Sequence, residues 1–198
     1  MIKICGLRDV ATAIHAAESG ATAIGLVFSN SPRRVTRVAA QAICEALADF
    51  NVECIGVFRA ADLADLPGIL ESVALDAVQI HGLKQPPFTL YGLHLIPGGS
   101  IAEVTGLQHP RVLADSPLGA GSGTAWDYRE VAALAAARLV VLAGGLTPDN
   151  VAAAIEAVRP YGVDVSSGVE SSRGVKDHGL IRAFIQQASK ALQTGVRP

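Results

Sequence analysis

Eight short runs of β-branched and aliphatic residues punctuate this chain, and between them lie alanine-rich stretches whose apolar residues recur at helical spacing. The candidate strands are Ile2 to Cys5, Ala23 to Phe28, Glu53 to Phe58, Ala77 to His81, Gly92 to Ile96, Arg111 to Ala114, Leu139 to Ala143 and Val163 to Val165. Helices read clearest at Val10 to Ser19, Val38 to Ala48, Tyr128 to Ala136, Pro148 to Val158 and Gly179 to Leu192. In "TPDNVAAAI", Thr147 is placed to cap, Pro148 suits a first helical turn and Asp149 lies near the positive dipole end. The segments after Phe58 and His81 carry Pro67, Gly68 and two further prolines, which predicts short or irregular middle crossovers.

Alternating strands and helices predict a parallel sheet with right-handed crossovers, either open and doubly wound or closed into a barrel. Eight units favour closure: an α/β fold, a single (β/α)8 TIM barrel spanning residues 1 to 198 as one domain. That length lies at the short end for such a barrel and leaves little for insertions.

Half of the residues are hydrophobic and 17% are charged, as expected of elements covered on both faces and not of a disordered or fibrous chain. A formal charge of −2 supplies no global basic field, so neither nucleic acid nor an anionic membrane is an expected partner. The "RRVTR" cluster at 33 to 37 is sufficient for one small anion. Cys5, Cys44 and Cys54 lack the close spacing of a zinc site, and their odd number argues against a disulfide framework; a reducing cytoplasm fits. "MIKICGL" lacks the apolar core of a signal peptide, and no run reaches transmembrane length.

In a closed barrel the chemistry sits where the strands end. Those positions are Cys5 and Gly6, "SNSPRR" from Ser29, Phe58 with Arg59, "QIHG" from Gln79, Asp115 with Ser116, "AGGL" from Ala143 and "SSGVE" from Ser166. Gly144 and Gly145 follow the seventh strand, and Ser166, Ser167 and Gly168 follow the eighth. Barrels commonly bind phosphate between those two loops, where glycine lets backbone N–H groups close on an anion.

Cys5 is either a small core hydrophobe or, if nearby cations or a dipole favour its thiolate, a base, with Arg8, three residues on, as one source of that field. Asp127, between Trp126 and Tyr128, is either a helix cap or a desolvated acid able to donate a proton near neutrality, with Asp115 as its competitor. Arg33, stiffened by Pro32, is placed to grip a carboxylate bidentately. His81 reads as a hydrogen-bonded core residue.

"KICGL", "GLVF" followed by "SPR", "GVF" at 56, "LDAVQIHG" at 75, "WDY" at 126, "LAGGLTPDNV" at 142 and "GVDVSSGVE" followed by "GVKD" occur in order along nearly the whole chain. In these motifs the sequence resembles the phosphoribosylanthranilate isomerases of tryptophan biosynthesis. The resemblance implies a β/α barrel that converts N-(5-phosphoribosyl)anthranilate to 1-(2-carboxyphenylamino)-1-deoxyribulose 5-phosphate by an Amadori rearrangement, with no metal and no organic cofactor. It implies Cys5 as base, Asp127 as acid, Arg33 for the anthranilate carboxylate, and Gly144, Gly145, Ser166, Ser167 and Gly168 for the phosphate. The expected partner is a small phosphorylated substrate, and the expected working unit is a monomer, with a homodimer as the alternative.

Several positions depart from the family pattern: Arg8 stands where threonine is frequent, Thr12 where aspartate is usual, Lys84 where an acidic residue is common, and Thr124 where lysine often stands. Two rival readings are an isomerase of the histidine-pathway aminoaldose phosphate, alone or bifunctional, and a sugar-phosphate sensor without chemistry. The first generally carries aspartate in place of Cys5 and a phosphate loop in each half, whereas this chain has no first-half partner to "SSG". Intact Cys5 and Asp127 disfavour the second.

Overall fold

The computed structural model describes residues 1 to 115 and 128 to 194. Asp127, and with it the choice between cap and acid, lies outside the described residues. The eight strands are β1 (Ile2–Cys5), β2 (Ala23–Val27), β3 (Glu53–Arg59), β4 (Ala77–His81), β5 (Leu93–Ser100), β6 (Arg111–Asp115), β7 (Leu139–Ala143) and β8 (Gly162–Val165). Each pairs in parallel with the next, β4 pairs with β5, and β8 pairs with β1, so the sheet closes into a (β/α)8 barrel. A two-residue strand, Thr89–Leu90, adds antiparallel to β5.

The helices are α1 (Val10–Glu18), α2 (Arg37–Ala46), α3 (Leu66–Leu70), α4 (Ile101–Thr105), α5 (Tyr128–Ala137), α6 (Val151–Val158) and α7 (His178–Thr194). Local chemistry starts several of them. Asp9 accepts from the Thr12 N–H ahead of α1, Thr36 accepts from the Ala39 N–H ahead of α2, and Ser100 with Glu103 forms a capping box on α4. In α7, Ile181, Phe184, Ile185, Ala188 and Ala191 are buried, a stripe at three- and four-residue spacing that lies against the barrel. The middle crossovers are irregular, as their prolines imply: a 3-10 segment, Ala60–Asp65, leads into the five-residue α3, and residues 82 to 92 contain no helix.

Strand alternation divides the core in two. Outward-facing residues such as Ile4, Leu26, Phe58, Val140 and Val163 pack beneath the helices. Ala23, Ile55, Ala77, Ile96, Leu113, Val141 and Ala143 fill the barrel interior. Above that apolar plug the inward positions turn polar: Lys3 and Asp164 are register partners on β1 and β8, and Gln79 is buried on β4. Gly25 and Gly98 supply the room. A Cβ on Gly25 would stand 2.7 Å from the Cys5 sulfur and 3.0 Å from Lys3 Nζ, and one on Gly98 would stand 2.8 Å from the His81 ring.

Two local expectations change. β5 continues past Pro97 to Ser100, because Gly98 and Gly99 admit His81 and Glu103 against the strand and keep it in register with β4. α6 begins at Val151, not at Pro148, and Thr147 does not cap it. The Asn150 side chain instead accepts from the Thr147 N–H and donates to the Gly145 carbonyl, and this competition for backbone groups keeps 148 to 150 as a turn.

Candidate active site

Cys5 ends β1 and is 7% exposed, facing the same side as Lys3, two residues earlier. Lys3 is 1% exposed, and its ammonium donates to Asp164 Oδ1 at 3.0 Å. Burial opposes the Lys3 charge, but Asp164 and then Cys5 outweigh it and hold the lysine pKa above its ordinary value. Burial likewise pushes the Cys5 thiol up, while Lys3 and Lys176 pull it back toward ionisation.

Arg33 reaches this end of β1 by lying across Gly6. That residue has a φ of +81°, and a Cβ on it would stand 2.8 Å from the Arg33 Cδ, so glycine serves both the turn and the approach. Glu170 takes the Arg33 Nε and Nη2 at 2.6 and 2.8 Å, in the bidentate geometry expected of a guanidinium and a carboxylate. Part of the fork assigned to a ligand from sequence is therefore occupied by protein. Glu170 also accepts from Lys176 Nζ at 2.9 Å and from the Gly174 N–H at 3.0 Å.

The strands Glu170–Ser172 and Val175–Lys176 form a small antiparallel hairpin that sets Glu170 opposite Lys176. Lys176 donates to the Ser166 carbonyl at 2.8 Å, and the Ser166 hydroxyl donates to the Cys5 carbonyl at 3.1 Å, which ties the loop after β8 to the end of β1. Arg8 braces the same corner from outside, donating to the carbonyls of Pro32 and Gly174.

The loops after β7 and β8 touch. Gly144 and Gly145 are left-handed, with φ of +89° and +63°, and Asn150 pins the segment behind them. A Cβ on Gly168 would lie 1.8 Å from the Leu146 carbonyl oxygen, so no side chain fits between the loops. Ser167 and Gly168 open a single 3-10 turn, Ser167–Val169, whose leading N–H groups have no partner within the turn.

A cavity of about 720 Å³ opens at the ends of β2, β3, β4 and β6, lined among others by Val27, Ser29, Arg33, Arg59, His81 and Asp115; among the described residues, Arg33 is the one sequence-predicted site residue in its lining. His81 is half-buried against Gly98, with its Nε2 2.9 Å from Gln79 Nε2, and desolvation lowers its pKa, which keeps the ring neutral near pH 7. A second cavity, of about 450 Å³, lies at the opposite end, around Met1, Thr22, Glu53 and Tyr161. No group of three or more metal-ligating side chains occurs among the described residues. None of their helices is long and apolar enough to cross a membrane.

Cys5, Arg33, Gly144, Gly145, Ser166, Ser167 and Gly168 thus lie at one end of the barrel, on the last residue of β1 and the segments that follow β2, β7 and β8. Lys3, Asp164, Glu170, Lys176 and Asn150 join them without having been singled out in the sequence. A lysine inside the aliphatic "IKIC" and an aspartate inside "GVDV" were the available signals, since charges on buried strands require partners.

A closed β/α barrel with two glycine-bearing loops interlocked after its last two strands, beside a cationic cluster, defines a barrel built to hold a phosphorylated small molecule. Its relatives agree. The family model for N-(5'phosphoribosyl)anthranilate (PRA) isomerase matches residues 2–187, and the chain belongs to that family and is an isomerase. An N-(5'-phosphoribosyl)anthranilate isomerase of Pseudomonas fluorescens (strain SBW25) is 41% identical, over 93% of each chain. The crystal structure of phosphoribosyl anthranilate isomerase from Thermotoga maritima superposes with a TM-score of 0.82 at 34% identity, covering 96% of this chain and 98% of that one. A further structure of such an isomerase, in complex with reduced 1-(o-carboxyphenylamino)-1-deoxyribulose 5-phosphate, gives a TM-score of 0.80 at 33% identity, with the same coverage.

Proposed function

We propose that this barrel carries out the Amadori rearrangement of N-(5'-phosphoribosyl)anthranilate in tryptophan biosynthesis with Cys5 as base and Asp127 as acid. Asp127 protonates the furanose ring oxygen, and the ring opens to an iminium. The cation acidifies the C2′ hydrogen, which the Cys5 thiolate removes; the C–H electron pair becomes the C1′–C2′ double bond of an enolamine, and tautomerisation gives the ketone. The phosphate rests on Gly144, Gly145, Ser166, Ser167 and Gly168. Arg33, steered by Glu170, presents the remaining edge of its guanidinium to the anthranilate carboxylate.

The observation that carries this reading is the junction of Cys5 with the loop after β8, through the Ser166 hydroxyl and the Cys5 carbonyl, which ties the Cys5 main chain to one of the two glycine-bearing loops. Separation matters because a displacement of about 1 Å can cost on the order of a hundredfold in rate. Every group invoked comes from one chain, so a monomer suffices, which light scattering checks. Three free cysteines suit the reducing cytoplasm.

The test follows the loss of substrate fluorescence with wild type, Cys5→Ala and Asp127→Asn. Each substitution should lower turnover by about a hundredfold or more with little change in substrate binding. Full activity in either variant removes that residue from the mechanism. Turnover of the histidine-pathway substrate would make the enzyme bifunctional.

A further inference from the structure

Lys3 is the most deeply buried charge in the described chain, and the mechanism above does not use it. Its position is fixed from three sides. Asp164, its register partner on β8, takes its proton-bearing nitrogen at 3.0 Å. Cys5 stands two residues along the same strand and faces the same interior. Gly25 on β2 leaves a space that the Lys3 ammonium and the Cys5 sulfur both border, and into which not even a methyl group fits. A buried ion pair of this kind rarely adds to stability, since desolvation offsets the attraction. A third ionisable group beside the pair gives it another use.

We propose that Lys3 is a positioning residue for Cys5: anchored by Asp164 inside the barrel, its ammonium holds the sulfur at the mouth and stabilises the negative charge that the sulfur carries as base. This rests on the reading of Cys5 as the base and deepens it. The proton balance is simple. The thiol releases its proton to water before the substrate arrives, and the thiolate takes the C2′ proton and returns to the thiol. The transfer therefore cancels the thiolate's negative charge against the positive charge of the iminium, the thiol releases its proton to water again before the next turnover, and Lys3 stays protonated throughout.

The other charges around Cys5 divide unequally. Lys176 and Arg33 also bear on the sulfur, but both donate to Glu170, which takes up much of their field. His81 interacts with Lys3 and Asp164 from β4 and is held neutral by burial. Asp164 is the opposing anion, since its charge disfavours a thiolate next to it. Two anionic sites thus share one buried cation, and the two members of the pair act on Cys5 with opposite signs.

The opposite signs make the test specific. The rate of Cys5 alkylation by iodoacetamide, followed by peptide mass spectrometry from pH 6 to 10, reports the thiolate without requiring substrate. Lys3→Met should slow alkylation near pH 7.5 by about tenfold or more, the equivalent of one pKa unit. Asp164→Asn should speed it and move the midpoint to lower pH. In turnover, Lys3→Met should lower kcat far more than it changes KM, and Lys3→Arg should restore part of it. Packing damage would shift both variants in the same direction, so a common direction or an unchanged profile in both overturns the proposal. If Lys3→Met does not fold, Asp164→Asn decides by the same measurement, and a midpoint unchanged or raised overturns it. An active Cys5→Ala would overturn the catalytic reading instead, and these alkylation profiles would be unaffected by that outcome.

Discussion

Glu170 holds Arg33 by two bonds, Nε to one carboxylate oxygen at 2.6 Å and Nη2 to the other at 2.8 Å. The guanidinium proposed to meet the substrate is therefore aimed by a carboxylate 137 residues away in sequence. Glu170→Gln should release it. Since charged hydrogen bonds contribute about 1.5–3 kcal/mol, kcat/KM should fall by roughly ten- to a hundredfold, with KM carrying most of the change. Steady-state kinetics on the folded variant check this.

The same carboxylate makes stability depend on acid. Burial opposes its charge, but Arg33, the Gly174 N–H and Lys176 hold its pKa down at about 2, against 4.5 for an ordinary glutamate. A depressed carboxylate contributes its full stability above the unfolded pKa and loses it as pH falls through the folded one. Urea midpoints of the wild type should therefore drop between about pH 4.5 and 2, and Glu170→Gln should show a shallower decline across that window.

Gly168 lies against the Leu146 carbonyl with no space for a Cβ. Gly168→Ala must separate the loops after β7 and β8, at a stability cost on the order of 1–3 kcal/mol, the usual scale of overpacking. Inorganic phosphate should inhibit the variant more weakly than the wild type. Thermal melts and phosphate inhibition constants together test whether the two loops act as one cradle.

Asn150→Ala removes two hydrogen bonds behind the Gly144–Gly145 turn. At about 0.5–1.5 kcal/mol each, their loss should lower the melting temperature by several degrees. Phosphate affinity should weaken while turnover at saturating substrate changes little. A variant that loses turnover but keeps phosphate affinity would place Asn150 elsewhere in the chemistry.

Much of the barrel was legible because its signals are local. β1, β4 and β7 begin and end where the aliphatic runs do, since a buried parallel strand is apolar on both faces. Cys5, Arg33 and the two glycine loops were shortlisted because active-site residues follow strand ends, a rule of the architecture and not of any one residue. The misplacement of the α6 start was also local in origin: "TPDN" offers two residues for one role, and Asn150 is used in the loop where Thr147 was expected to cap. The hairpin at 170 to 176 was missed, although "SSRG" between two short runs is a turn signal, because strands of two or three residues carry almost no periodicity.

By itself the sequence determined the order of strands and helices, the closure that eight such units favour, and a cysteine at the end of the first strand. Only the tertiary structure decided which charges meet: Lys3 with Asp164, 161 residues apart, and Arg33 with Glu170 and Lys176. Those encounters depend on the register in which β8 closes on β1 and on spaces left by Gly6 and Gly25. Register between strands so distant in the chain is set by packing of the whole barrel, and no local pattern of side chains encodes it.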